Sequence, residues 1–209
     1  VLRSVIESIF PETYVSVVTA PTGAAAYNVG GTTCHSFFKV AIRNTDKTLS
    51  DAKRIHLEEC LKRMIMVLID ERGLLSMNVL GTCEKHARDT AHGGVNRNKS
   101  WGGIPIVIIL GDDHQLPSVV IGKNGKGATH IFEDDNETLI SLPQNSNERN
   151  GRDVFLNLAD NVKELKRSCR TDDDANDLRE ILHNLREKDG CTLEQARQLR
   201  DLHISNPQL

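Results

Sequence analysis

The stretch Met64-Ile-Met-Val-Leu-Ile-Asp-Glu71 decides the fold. Its apolar residues run without a polar break and then give way to two acids. A strand buried on both faces reads this way, and such strands belong to parallel sheets covered by helices. On the carboxyl side, Leu74–Arg88 carries a helical pattern weakened by Gly81, and Ile104–Leu110 is a second buried strand ending in Gly111-Asp112. On the amino side, Tyr14–Ala20 is apolar and β-branched, reads as a strand, and turns at Pro21-Thr22-Gly23. The small residues Ala24–Ala26 open a helix that Gly30-Gly31 breaks, and a second short helix covers Thr33–Phe38. Strands alternating with helices predict an α/β fold with a mostly parallel sheet flanked by helices.

Further out, Val1–Ile9 is an amphipathic helix stopped by Pro11, and its stripe starts at the first residue. The expectation is a fragment that opens inside a helix. Arg43–Leu49 is a polar loop, and Ser50 or Asp51 caps a helix running through Arg63. His92–Gly103 and Gly122–Gly127 read as loops, Ser141–Asp153 as a disordered stretch or insertion, and Asn161–Leu165 as a short strand. Acids at Asp172–Asp174 start a helix that ends in Arg186 and Lys188, in keeping with the helix dipole. Thr192 and Gln195 then form a capping box for a last helix through Leu202.

Composition narrows the class. The 209 residues are 38% apolar and 26% charged, with a net charge of −3, so the chain is globular rather than disordered and carries no global basic field. Any nucleic-acid contact must be local. No apolar run is long enough to cross a membrane as a helix. Cys34, Cys60, Cys83, Cys169 and Cys191 fit neither a disulfide framework nor a zinc pattern, and read as reduced thiols in an intracellular compartment.

Chemistry gathers at the carboxyl ends of strands in such sheets, and three strands end in distinctive residues. After the first buried strand come Asp70 and Glu71, the arrangement in which one acid orients magnesium and its waters and the next orients or deprotonates an attacking water. Taken alone, two acids are also how a strand meets solvent. After the second come Gly111-Asp-Asp-His-Gln-Leu-Pro117, where Gln115 can sense a terminal phosphate. After the amino-terminal strand, Thr19 to Gly23 offers hydroxyls and amides to phosphate oxygens. His35 and Ser36 add polar groups, while Phe37 and Phe38 offer faces for bases or for the core. Gly122-Lys-Asn-Gly-Lys-Gly127 imitates a phosphate loop but lacks the required lysine, and G-x-x-x-x-G-K-[ST] occurs nowhere in the chain.

Together these segments resemble one family. Val18-Thr-Ala-Pro-Thr-Gly-Ala-Ala-Ala-Tyr-Asn-Val-Gly-Gly-Thr-Thr-Cys-His-Ser-Phe-Phe38 is similar to motif Ia of PIF-like DNA helicases, which are superfamily-one, RecD-related, 5′-to-3′ motors. Leu68–Glu71 resembles their motif II, Trp101–Pro117 their motif III, and Leu165-Lys-Arg-Ser-Cys-Arg170 the start of motif IV.

The resemblance implies a RecA-like motor core, incomplete here. Residues 1–160 would be part of a first motor domain and 161–209 the start of a second. ATP and Mg2+ would be the ligands. Asp70 would hold magnesium, through water, Glu71 would serve the attacking water, Gln115 would read the γ-phosphate, and Arg170 would stabilise charge on it. Pro21, Thr22, Gly23, His35 and Ser36 match segments that contact single-stranded DNA. The partners would be single-stranded DNA and fork or duplex DNA, in nucleus or mitochondrion, in repair, recombination or telomere maintenance. A phosphate loop is expected just before Val1, and without it the 209 residues are expected not to hydrolyse ATP.

The departures open a second reading. Arg72-Gly73-Leu74 stands where the family has Ile-Ser-Met, Pro117-Ser118 where it has Pro-Pro, and Arg170-Thr171 where it has Arg-Gln. On that reading the chain is a degenerate remnant that binds single-stranded DNA without hydrolysing ATP.

Overall fold

The computed structural model describes residues 2–11, 15–42, 48–91, 96–112, 143–159, 161–165, 180–181, 183–184, 192–197 and 200. The chain divides into two compact units, Val1–Asn161 and Val162–Leu209.

The first unit is built on four parallel strands. These are β1 (Ser16–Ala20), β2 (Thr32–Thr33), β3 (Met66–Ile69) and β4 (Ile106–Ile109), in the order β2-β1-β3-β4. The register is level: Thr19 lies beside Ile69, and Ile69 beside Ile109. The pairing continues past the strands, since the Asp70 N–H donates to the Thr19 oxygen and the Leu110 N–H to the Ile69 oxygen, each at 2.8 Å. All four carboxyl ends therefore open on one edge of the sheet.

Among the described residues, helices α1 (Leu2–Ile9), α2 (Gly23–Asn28), α3 (Cys34–Phe37), α4 (Asp51–Leu61), α5 (Met77–Asp89) and α6 (Asn147–Ala159) belong to this unit. The main core joins Val67 and Ile69 of β3 to Leu80, Cys83 and Ala87 of α5, Phe38, Trp101 and Val154. A smaller cluster holds Ile6, Val15 and Met66.

Helix starts follow local chemistry. Thr22, Thr33 and Ser76 each accept a backbone N–H in the first turn of α2, α3 and α5. Ser50 occupies the cap position of α4 without a side-chain bond, so the expected cap is positional only.

Three expectations are corrected. Residues 147–153 are neither disordered nor an insertion but the first half of α6. This helix crosses α5 where Gly81 and Gly151 let the two backbones touch, and a Cβ on either would strike the other helix's main chain. Its polar residues serve the contact: Asn150 Nδ2 donates to the Gly81 oxygen and to Glu84 Oε2, each at 2.8 Å. Second, residues 161–165 form no strand, and Val162 and Leu165 are exposed. Third, β4 is only half-buried along its length, because among the described residues it pairs on one side alone.

In the second unit, the capping box forms as expected. The Gln195 N–H donates to Thr192 Oγ1 at 3.2 Å, and the Thr192 N–H to Gln195 Oε1 at 3.0 Å. Ile181 is its buried apolar residue among those described. The helix start at Asp172–Asp174 and the Gly122–Gly127 loop lie outside the described residues.

Candidate nucleotide and single-stranded DNA site

The carboxyl edge of the sheet collects most of the expected residues. Asp70 and Glu71 follow β3 directly, and both are half-buried. The Glu71 N–H donates to Asp70 Oδ1 at 2.9 Å. Glu71 adopts φ 58° and ψ 48°, the left-handed region that a glutamate enters only at a cost of about 1–2 kcal/mol. The turn that follows is closed at once. Leu74 and Leu75 donate to the oxygens of Glu71 and Arg72 at 3.1 and 2.9 Å, so Gly73 sits buried in a regular 3-10 turn.

Arg72 is the departure nearest the two acids. Its guanidinium carbon lies 5.8 Å from the centre of the Phe155 ring on α6, a cation–π distance. Its stem packs on Gly111, and its own N–H donates to the Leu110 oxygen at 2.8 Å. The arginine thus ties the loop after β3 to the loop after β4 and to α6.

At the end of β1, the Thr19 hydroxyl is not available to a ligand. It is fully buried and donates to the Leu68 oxygen at 3.2 Å, while Cys34 Sγ lies 3.5 Å from it. Thr22, Gly23 and Ser36 lie at the surface, and Pro21 and His35 are half-buried. Burial holds the His35 imidazole below the ordinary histidine range, so it is neutral at pH 7. Because β2 pairs with β1, these two groups of residues stand side by side. Both phenylalanines serve the core: Phe38 is fully buried, and Phe37 packs edge-on against it at 5.0 Å between ring centres. Burial also keeps Cys83 a protonated thiol, and Cys34, Cys60 and Cys83 are all free. Gln115 and Arg170 lie outside the described residues.

The donor set at Asp70 suits magnesium. That ion takes one or two carboxylates and keeps several waters for phosphate oxygens, rather than requiring an all-protein cage. Asp70 presents a carboxylate with Oδ2 outside its bond to Glu71, and no group of three or more metal-ligating side chains exists among the described residues.

Sequence reasoning missed Phe155, the left-handed Glu71 and the contact of Gly111 with Arg72. Only the glycine carried a signal, as the residue that tolerates a close approach.

Four parallel strands flanked by helices, with two acids after a central strand, match the RecA-like fold. Residues 1–187 match the family model described as PIF1-like helicase. The chain belongs to the PIF1-like helicase family.

Its relatives include the ATP-dependent DNA helicase PIF1 of Candida albicans, 35% identical over 57% of this chain and 13% of the relative. The human ATP-dependent DNA helicase PIF1 is 32% identical over 51% of this chain and 16% of the relative. The chain therefore spans under a fifth of each. Among solved structures, Bacteroides Pif1 bound to single-stranded DNA shares the fold, with TM-score 0.63 and 24% identity over 96% of this chain and 42% of that one. A Bacteroides Pif1 complex with ADP-AlF4 has TM-score 0.58 and 25% identity over 93% of this chain and 40% of that one. No described helix is long and apolar enough to cross a membrane.

Proposed function

We propose that this chain is part of the motor core of an ATP-dependent DNA helicase, coupling ATP hydrolysis to movement along single-stranded DNA and to unwinding of forked or duplex DNA. The observation that carries the reading is Asp70-Glu71 at the carboxyl end of β3, level with the ends of β1 and β4, in a chain of this family.

Each residue has a definite task. Glu71 orients and deprotonates the water that attacks the terminal phosphate. Asp70 would hold magnesium, which would supply charge to neutralise the phosphates. Gln115 reads the terminal phosphate, Arg170 stabilises charge on it, and residues 161–209 are the start of a second motor domain. Pro21, Thr22, Gly23, His35 and Ser36 line the path of single-stranded DNA. The setting is intracellular, in nucleus or mitochondrion, where the family's work in repair, recombination and telomere maintenance lies.

The test is DNA-stimulated ATP hydrolysis by the complete product of the gene. Glu71→Gln is expected to abolish hydrolysis and leave single-stranded DNA binding intact. Hydrolysis undiminished in that variant would remove Glu71 from the mechanism. The rival reading, a non-hydrolysing DNA-binding remnant, is favoured by Arg72. The hold of Phe155 and Gly111 on that arginine supports the motor instead.

A further inference from the structure

We infer that the ring of Tyr27 is a stacking platform for a base of single-stranded DNA crossing the carboxyl ends of β1 and β2. The inference rests on the DNA path proposed above and adds to it a residue outside the matched contacts.

Tyr27 is 86% exposed, the most exposed aromatic residue among those described. Helix α2 buries Ala26 and leaves Gly23, Ala24, Tyr27 and Asn28 to solvent. Tyr27 therefore shares a helix face with Gly23, one turn away. Helical side chains lean toward the amino end of their helix, so the ring's reach is back over Gly23. Nothing lies within 4 Å of the place a Cβ would occupy on Gly23, so the surface beside that residue is open. Beyond that turn stand His35 and Ser36, brought alongside by the β1–β2 pairing. The ring thus borders the row of residues assigned to the DNA.

Charge points the same way. The chain carries −3 overall, and Pro21, Thr22, Gly23 and Ser36 are uncharged. His35 is held neutral by burial. These five side chains therefore supply no cation to the phosphates, which leaves room for a contact of another kind. An aromatic face supplies it for any base, without sequence preference.

The experiment is a fluorescence-anisotropy titration of a labelled oligothymidylate with the 209-residue chain, as wild type, Tyr27→Phe and Tyr27→Ala. Each is repeated on an oligonucleotide with abasic sites. Tyr27→Phe is expected to bind like wild type, and Tyr27→Ala about 5- to 150-fold more weakly, the range for loss of one base–aromatic stack. On the abasic strand the penalty is expected to vanish. Unchanged binding by Tyr27→Ala, or an equal penalty on the abasic strand, overturns the inference and leaves the DNA path standing. No binding by the wild-type chain overturns the path and the inference with it.

Discussion

Gly111 rests on Arg72, with 2.7 Å between the Arg72 nitrogen and the place where a Cβ on residue 111 would stand. The segment after β3 that carries the proposed base and the segment after β4 are in contact through main-chain atoms, so neither can shift alone. Gly111→Ala is expected to cost about 1–3 kcal/mol, as overpacking does. Thermal unfolding should report it, and an unchanged Tm would mean the two loops are not coupled.

The backbone of Glu71 leads to an opposite expectation. Glycine enters the left-handed region freely. Glu71→Gly should therefore raise stability by about 1 kcal/mol, or roughly 2–4 °C in Tm at this chain length, while removing the carboxylate. Glu71→Gln keeps the strain and should leave Tm in place. Chemical denaturation of the two variants side by side separates the conformational effect from the loss of charge.

Where α5 and α6 cross, a single methyl group is too large. Gly81→Ala and Gly151→Ala each push a Cβ into the other helix's backbone, and about 3 kcal/mol or more is expected from each, at or beyond the upper end of ordinary overpacking. Loss of the buried environment of Trp101, the one tryptophan, gives a fluorescence readout.

His86 makes stability depend on pH. Its Nδ1–H donates to the Phe38 oxygen at 2.7 Å, and burial, outweighing that bond and Asp89, holds its pKa below the ordinary value of 6.5. The unfolded chain therefore binds the proton more readily. The stabilisation is complete above about pH 6.5 and is lost as pH falls through the lower folded value. His35 acts with the same sign. Tm should decline on acidification through this window, and His86→Asn, whose amide nitrogen stands where Nδ1 does and can still donate to Phe38, should flatten part of the decline. A pH profile identical to wild type would remove His86 as a contributor.

How legible the molecule was depends on what each element asks of its sequence. β3 announced itself because a strand covered on both faces needs an unbroken apolar run, and the acids after it fell where the sheet opens. α6 stayed hidden because its first half meets α5 through Gly81, Gly151 and Asn150, and its apolar residues Val154, Phe155 and Leu158 come only in its second half. β2 is two residues long, too short for any period to register. Ile106–Ile109 is apolar enough for a fully covered strand, yet it is half-buried in the sheet described. The left-handed turn at Glu71 is not written in residue type at all, since a glutamate carries no preference for that region. Thr19 was misjudged for a related reason: a hydroxyl at the end of a strand can turn inward as readily as outward.

The clasp between Asn150 and Gly81 closes 69 positions of chain, and the parallel sheet contains no hairpin to bring its strands together early. Contacts this distant in sequence must absorb the entropy of loop closure before they return any stability. The first unit is thus a slow folder for its size, and α6 docks only after the sheet and α5 exist to receive it. Stopped-flow refolding followed through Trp101 should show its last change when that helix arrives. A newly made chain would stay open, with α5 uncovered, until synthesis has passed Ala159.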